Sequence, residues 1–168
     1  MKINIIVATD LRNGIGLSGN LPWNIKEDLS RFMKLTVGAG NNCVLMGRKT
    51  YESLPKKASP LKKRHNIVLS RNPPKEKLDP SVSYITNIND ALNVGEYDEM
   101  WVIGGSEMYA LALEQLKIDT IYITRILRNY NCDRFFPMEL VKKTRTCVTS
   151  DIIKRNDVAF LYVDFKIS

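Results

Sequence analysis

An α/β fold built on a mostly parallel central sheet is predicted by three features of this 168-residue chain. Short aliphatic and β-branched runs recur without polar alternation, as strands buried on both faces require. Two of these runs end in glycine and pass directly into helical stretches, the junction expected where a strand feeds a crossover helix. Toward the C-terminus the runs begin to alternate apolar with polar residues, which marks an antiparallel pair at one sheet edge. The expected architecture is a single domain over residues 1–168. Helices cover both faces of its sheet, which ends in an antiparallel C-terminal strand.

The elements follow in order. Ile3 to Ala8 is the first buried strand, and Gly14, Gly16 and Gly19 break regular structure through the long segment Thr9 to Trp23. Asn24 is the expected N-cap of the next helix, with Glu27 closing a capping box, and Gly38-Ala39-Gly40 ends it. Asn42 to Met46 is a second strand, leading through Gly47 to a short helix over Arg48 to Ser53. Ile67 to Leu69 and Val82 to Ile85 are strands separated by a proline-rich loop, and Asp90 to Val94 is a short helix. Glu99 to Ile103 is a strand that Gly104-Gly105 turns into a helix over Ser106 to Leu116, and Thr120 to Ile126 is the next strand. Thr144 to Asp151 and Ala159 to Lys166 make the antiparallel pair, joined by a polar loop.

A hydrophobic fraction of 44% is ample for a packed core and argues against disorder over most of the length. No run of about 18 apolar residues is present, so no membrane span or membrane partner is expected. The first apolar run is too short for a signal peptide and lacks a small-residue cleavage site, which points to the cytoplasm. Cys43, Cys132 and Cys147 are odd in number and scattered, as reduced thiols rather than disulfides or a zinc site. His65, the single histidine, follows Lys62-Lys63-Arg64 and is expected to be a solvated imidazole rather than a catalyst.

The net charge of +7 favours anionic ligands. Its clusters are Lys56-Lys57, Lys62-Lys63-Arg64 and Arg71 to Lys77. They lack interleaved aromatics and any helix-turn-helix or zinc-finger spacing, so nucleic acid is not an expected partner.

The stretch from Leu21 to Phe32 carries the most chemistry. At about 100° per residue, Ile25, Leu29, Phe32 and Thr36 share one helical stripe, with Met33 near its edge. Asp28 borders that stripe, whereas Glu27 points the opposite way, beside Arg31 and toward water. A carboxylate pressed against apolar surface resists ionisation and can relay protons near neutral pH. The alternative is a solvated first-turn residue, stabilised by the helix dipole.

Two strand-to-helix junctions can cradle phosphate, Met46-Gly47-Arg48-Lys49-Thr50 and Ile103-Gly104-Gly105-Ser106. Glycine permits close approach, and the following helix presents unpaired N–H groups. Neither is a P-loop or a GxGxxG motif, and such junctions are also ordinary turns of α/β folds. Ser70-Arg71, at the end of the Ile67 strand, suits a compact dianionic phosphate. Three anion sites at strand ends suggest a ligand with several phosphates, such as NADP. Arg64, between Leu61 and Ile67, can clamp a carboxylate, or else belongs to a solvated basic run with Lys62 and Lys63.

Taken together these residues resemble the dihydrofolate reductase family. The resemblance runs through Ile15-Gly16, Leu21-Pro22-Trp23, Asp28 with Phe32, Met46 to Thr50, Pro60-Leu61, Arg64, Asn66 to Arg71, Ile103-Gly104-Gly105 with Tyr109, Thr124-Arg125-Ile126 and Asp133 to Pro137, in the family's order and spacing. It covers nearly the whole chain. It implies a monofunctional, monomeric enzyme that reduces 7,8-dihydrofolate to tetrahydrofolate with hydride from NADPH, serves one-carbon metabolism and is a target of antifolates.

Carried over residue by residue, the resemblance makes Asp28 the group that holds the pterin and assists its protonation. Leu21 would sit on a mobile loop, Trp23 would hold an ordered water, and Thr124 would hydrogen-bond Asp28. Ile6, Val7, Leu29, Phe32, Leu54, Leu61 and Ile103 would line the substrate pocket, with Tyr109 beside the nicotinamide and Arg64 on the glutamate carboxylate. Ala8, Ile15, Gly16, Gly47, Arg48, Lys49, Thr50, Leu69, Ser70, Arg71, Ile103, Gly104, Gly105, Ser106, Glu107, Met108 and Tyr109 would form the NADPH site.

Some positions depart from the family pattern. Arg134 stands where threonine is common, Tyr51 where tryptophan is frequent, and Gly14 before Ile15 is expected to loosen the loop. A pyrimidine reductase would need a phosphoribosyl-binding set in place of Asp28, Phe32 and Arg64. A binding module that had lost catalysis would show an altered Asp28 or a broken Gly104-Gly105.

Overall fold

The computed structural model describes residues 1–76, 79–142 and 144–167. Lys77, the last cation of the third basic cluster, lies outside the described residues. The elements are β1 (Lys2–Thr9), β2 (Gly14–Gly16), α1 (Lys26–Val37), β3 (Cys43–Gly47), α2 (Arg48–Ser53), β4 (His65–Leu69) and β5 (Val82–Ile85). They continue with β6 (Glu99–Gly104), α3 (Ser106–Gln115), β7 (Thr120–Ile126), β8 (Arg134–Phe135), β9 (Thr146–Thr149), β10 (Ile153–Arg155) and β11 (Val158–Lys166).

Nine strands form one sheet in the order β5-β4-β3-β6-β1-β7-β11, with β9 and β10 both paired to β11. The pairings from β5 across to β7 are parallel, and those of β11 are antiparallel. The sheet is therefore the one expected, mostly parallel with an antiparallel C-terminal edge. Successive side chains of each central strand enter opposite layers. Ile5, Leu45, Ile67 and Val102 join Met108, Tyr109, Ala112 and Leu113 of α3 on one face. Ile6, Val44, Met46, Val68 and Trp101 meet Phe32 and Leu35 of α1 and Tyr51 of α2 on the other.

α1 begins one residue later than expected, and the capping box does not form. Ile25 occupies the N-cap with extended backbone and no side-chain cap, because burying its side chain to 5% exposure fixes where the chain must turn. Its carbonyl accepts the Leu29 N–H at 3.1 Å. Phe32 and Thr36 face the sheet, but Leu29 is 55% exposed, so the apolar stripe is narrower than its sequence period suggested. The helix expected at Asp90 to Val94 is a 3-10 stretch over Ile88–Asn93, started by Asn87, which accepts the Asn89 N–H.

The C-terminal edge is more elaborate than a hairpin with a polar loop. β10 lies in that loop and turns tightly through Asn156 onto β11. The nine-residue β11 thus carries β10 and β9 end to end along one side, and β7 along the other.

The long Thr9–Trp23 segment also holds structure that glycine content hid. β2 pairs with β8 in a separate small sheet. Asp10, fully buried, accepts the N–H groups of Arg12, Gly14 and Tyr130 and so ties the loop's start to the segment after β7. Gly14 does not loosen this loop. A Cβ there would stand 2.4 Å from the Cβ of Cys132 and 2.9 Å from Asp10, so glycine is what lets the two segments touch. Gly14→Ala is expected to lower stability by about 1–3 kcal/mol, read as a fall in the thermal midpoint.

Candidate active site

Asp28 occupies the first turn of α1, on the side that meets β7. The Thr124 hydroxyl donates to its Oδ1. Burial pushes the Asp28 carboxyl above its usual range, while the Thr124 hydrogen bond and the nearby Arg31 charge pull it back. This is the bordering carboxylate that the helical period predicted, not a solvated first-turn residue. Glu27 points away, as expected, but its partner is Arg155 at 2.8 Å rather than Arg31. Arg31 instead turns to Asp164 across the sheet.

On the opposite layer the buried Tyr109 hydroxyl donates to the Ile6 carbonyl at 2.9 Å. Burial pushes that hydroxyl far up, so it stays a proton donor. Between these layers β3 and β6 both end in glycine, at Gly47 and Gly104. The register of β3 against β6 slips beyond Leu45, so that Met46 pairs with Gly104 and Ile103 is skipped. Gly104 has φ +126°, a conformation that favours glycine, and a Cβ there would press on Tyr109 at 3.4 Å. A Cβ on Gly47 would meet the Gly104 carbonyl at 3.9 Å. The peptide between Gly104 and Gly105 is cis.

Arg64 reaches back to the same helix. It is 8% exposed, its Nη1 donates to the Thr36 hydroxyl at 3.0 Å, and its Nε donates to the Lys62 carbonyl at 2.9 Å. The guanidinium stands 5.9 Å from the centroid of Phe32. No carboxylate pairs with it among the described residues. A buried cation so arranged is primed for an anionic ligand, and the solvated-run alternative does not hold. Neither does a solvated His65, which stacks on Tyr97 and shares a hydrogen bond with Ser83 at 2.8 Å.

Over residues 2–166 the sequence matches the family described as dihydrofolate reductase. The chain belongs to the dihydrofolate reductase family. It is 33% identical over 177 residues to the dihydrofolate reductase of Aedes albopictus, covering 96% of this chain and 95% of the relative. It is 34% identical to that of Sus scrofa, with 95% of each chain covered. Against the Rattus norvegicus enzyme it is 38% identical, over 80% of this chain and 78% of the relative. The reaction is reduction of dihydrofolate to tetrahydrofolate with a nicotinamide cofactor.

Of the residues expected to line the substrate pocket, Ile6, Val7, Leu61 and Thr124 are buried, and Phe32, Leu54 and Ile103 are half-buried. Trp23 is 9% exposed and packs edge-on against Tyr130, and Leu21 is 59% exposed. Of the expected cofactor residues, Ala8, Ile15, Gly16, Gly47, Thr50, Leu69 and Gly105 are half-buried, and Lys49, Arg71 and Glu107 are exposed.

Three cofactor candidates also make contacts within the fold. Met108 is 3% exposed and packs into the core, because α3 turns that side chain onto the sheet. The Ser106 hydroxyl donates to the Phe135 carbonyl at 3.0 Å, so it ties α3 to β8. Arg48 is held by Glu52 one helical turn on, at 2.9 Å.

The reductase also contains residues that sequence patterns missed. Arg31, one turn on from Asp28, gathers Tyr122, Tyr162 and Asp164 around its guanidinium. An arginine one turn after a carboxylate was visible in the sequence, but its partners come from β7 and β11. Asp10 was also missed, although an aspartate preceding a glycine turn is a recognisable loop-closing signal.

No helix among the described residues is long and apolar enough to cross a membrane. No group of potential metal ligands occurs among them either.

Proposed function

We propose that the chain is an NADPH-specific dihydrofolate reductase in which Asp28 assists protonation of the pterin and Arg64 binds the tail carboxylate. The observation that carries this is that α1 holds the half-buried Asp28, bonded by Thr124, and packs against the buried Arg64, a cation with no acid partner among the described residues. The acid suits the pterin's amino and N3 groups, which present hydrogen-bond donors in one plane. Burial raises the proton affinity of Asp28 above that of an exposed aspartate, which suits a group that passes a proton to the substrate. Phe32, Leu54 and Ile103 supply the apolar walls that exclude water from the ring.

The residues at the strand ends fit a dinucleotide. The glycines at 47, 104 and 105 let a ligand approach backbone, and Lys49 and Arg71 offer exposed charge. The Ser70 Oγ accepts the Asn72 N–H at 3.3 Å, which leaves its own proton to donate. When bound, NADPH supplies the hydride. Tyr109 holds the Ile6 carbonyl in place beneath the cleft. Residues 1–168 are proposed to work as one monomeric, cytoplasmic unit, and antifolates to occupy the Asp28 cleft.

The test is loss of NADPH absorbance on adding dihydrofolate, with NADH run in parallel. We assign Arg48, Ser70 and Arg71 to the phosphate that distinguishes the two cofactors. Arg71→Ala should raise the Michaelis constant for NADPH by roughly ten- to a hundred-fold and leave that for NADH nearly unchanged, as loss of a charge-assisted hydrogen bond requires. Equal losses with both cofactors would refute the phosphate assignment.

A further inference from the structure

A second charged residue of α1 faces the sheet beside Asp28. Arg31 lies three positions on, so the two side chains are neighbours on one helix face. Its Nη2 donates to both oxygens of Asp164, at 3.0 and 3.3 Å. Its guanidinium carbon stands 4.0 Å from the Tyr162 ring centroid and 5.7 Å from that of Tyr122. Nη1 is buried without a hydrogen-bond partner among the described residues. The sheet register accounts for this arrangement. In the β7–β11 pair Thr124 lies opposite Tyr162, and Tyr122 lies opposite Asp164. With a period of two, all four side chains share the face that α1 covers. Thr124 therefore holds the acid, and Asp164, one rung along, holds the cation.

We propose that Arg31 is a positioning residue for the reduction, its charge, tempered by Asp164, governing how readily Asp28 takes up a proton. This rests on Asp28 being the group that assists protonation. Burial favours the acid form, whereas the Thr124 hydrogen bond and the neighbouring cation favour the carboxylate, so the partial neutralisation of Arg31 by Asp164 tunes the balance. The Tyr162 and Tyr122 hydroxyls from the sheet also face this region, and Tyr109 of α3 lies on the other layer, at the Ile6 carbonyl. Burial raises all three, so they stay neutral through the working range. Glu27 and Arg155 flank it from outside as an exposed pair that solvent screens.

The experiment is the pH profile of dihydrofolate reduction by the full chain, each variant normalised to its own acid plateau. That normalisation makes the position of the alkaline limb independent of how much protein is folded. Arg31→Gln removes the cation and should move the limb to higher pH. Well above the midpoint, its normalised rate should rise roughly three- to tenfold. Asp164→Asn leaves the cation uncompensated and should move the limb to lower pH, with a similar fall. Arg31→Lys should restore the original position.

An unmoved limb, or movement of both variants in one direction, would overturn the proposal. If Arg31→Gln does not fold, the direction of the Asp164→Asn shift decides alone. Asp28→Asn separates the two levels. A limb that stays at the parent position in it overturns the role of Asp28 and this inference together. A limb that moves to acid pH in it, where the substrate takes its proton from solution, but ignores Arg31 and Asp164 overturns only the inference.

Discussion

Asp28→Asn is expected to slow dihydrofolate reduction at neutral pH by roughly 10²–10⁴-fold, the range for losing general acid–base assistance. Asparagine preserves the size of the side chain and can still accept from Thr124, so the fold should survive. What disappears is a group that can hold a proton in a buried, ligand-facing position. The rate should recover partly toward acid pH, where dihydrofolate takes its proton from solution. The direction follows from the raised proton affinity of Asp28. In the parent enzyme the acid form persists to higher pH than an exposed aspartate allows, and activity declines as that form is lost. Glu27→Gln is the matched control, since Glu27 pairs with Arg155 at the surface. Steady-state rates across pH for the two variants decide which acid matters. A crippling Glu27→Gln would invert the assignment of helical faces.

Arg64→Leu should weaken dihydrofolate and methotrexate, both of which carry a glutamate tail, by about ten- to a hundred-fold, the worth of a charge-assisted hydrogen bond. Trimethoprim and pyrimethamine lack the tail and should lose little. The comparison matters because Arg64 also has structural partners. It donates to Thr36 on α1 and to the Lys62 carbonyl, so leucine removes both bonds, leaving Thr36 only its own bond to the Phe32 carbonyl, and costs some stability. A loosened cleft would weaken tailed and tailless ligands alike, whereas a lost carboxylate contact weakens only the first class. Titration of the variant with both inhibitor types distinguishes these outcomes, and parallel weakening would refute the clamp.

Much of this protein was written locally. Continuous apolar runs such as those of β1 and β3 can only be strands with both faces covered, so the parallel sheet and its two helical layers were legible without coordinates. The 3.6-residue period separated Asp28 from Glu27 for the same reason, because it depends on backbone geometry alone. The family resemblance extended this to the glycines, Thr124 and Arg64.

What the sequence withheld involves partners distant along the chain. Whether Asn24 or Ile25 caps α1 depended on how much of Ile25 the core could bury, and local propensity favoured the wrong residue. Gly14 read as slack until Cys132, more than a hundred residues away, was found against it. The bond from the Ser106 hydroxyl to the Phe135 carbonyl likewise joins segments far apart in the chain.

Most tellingly, the electrostatic surroundings of Asp28 come from β7 and β11 packing against one helix face. Charge interactions fall off with distance and rise with burial. Only tertiary structure sets both, and so only it decides how tightly that carboxylate holds its proton.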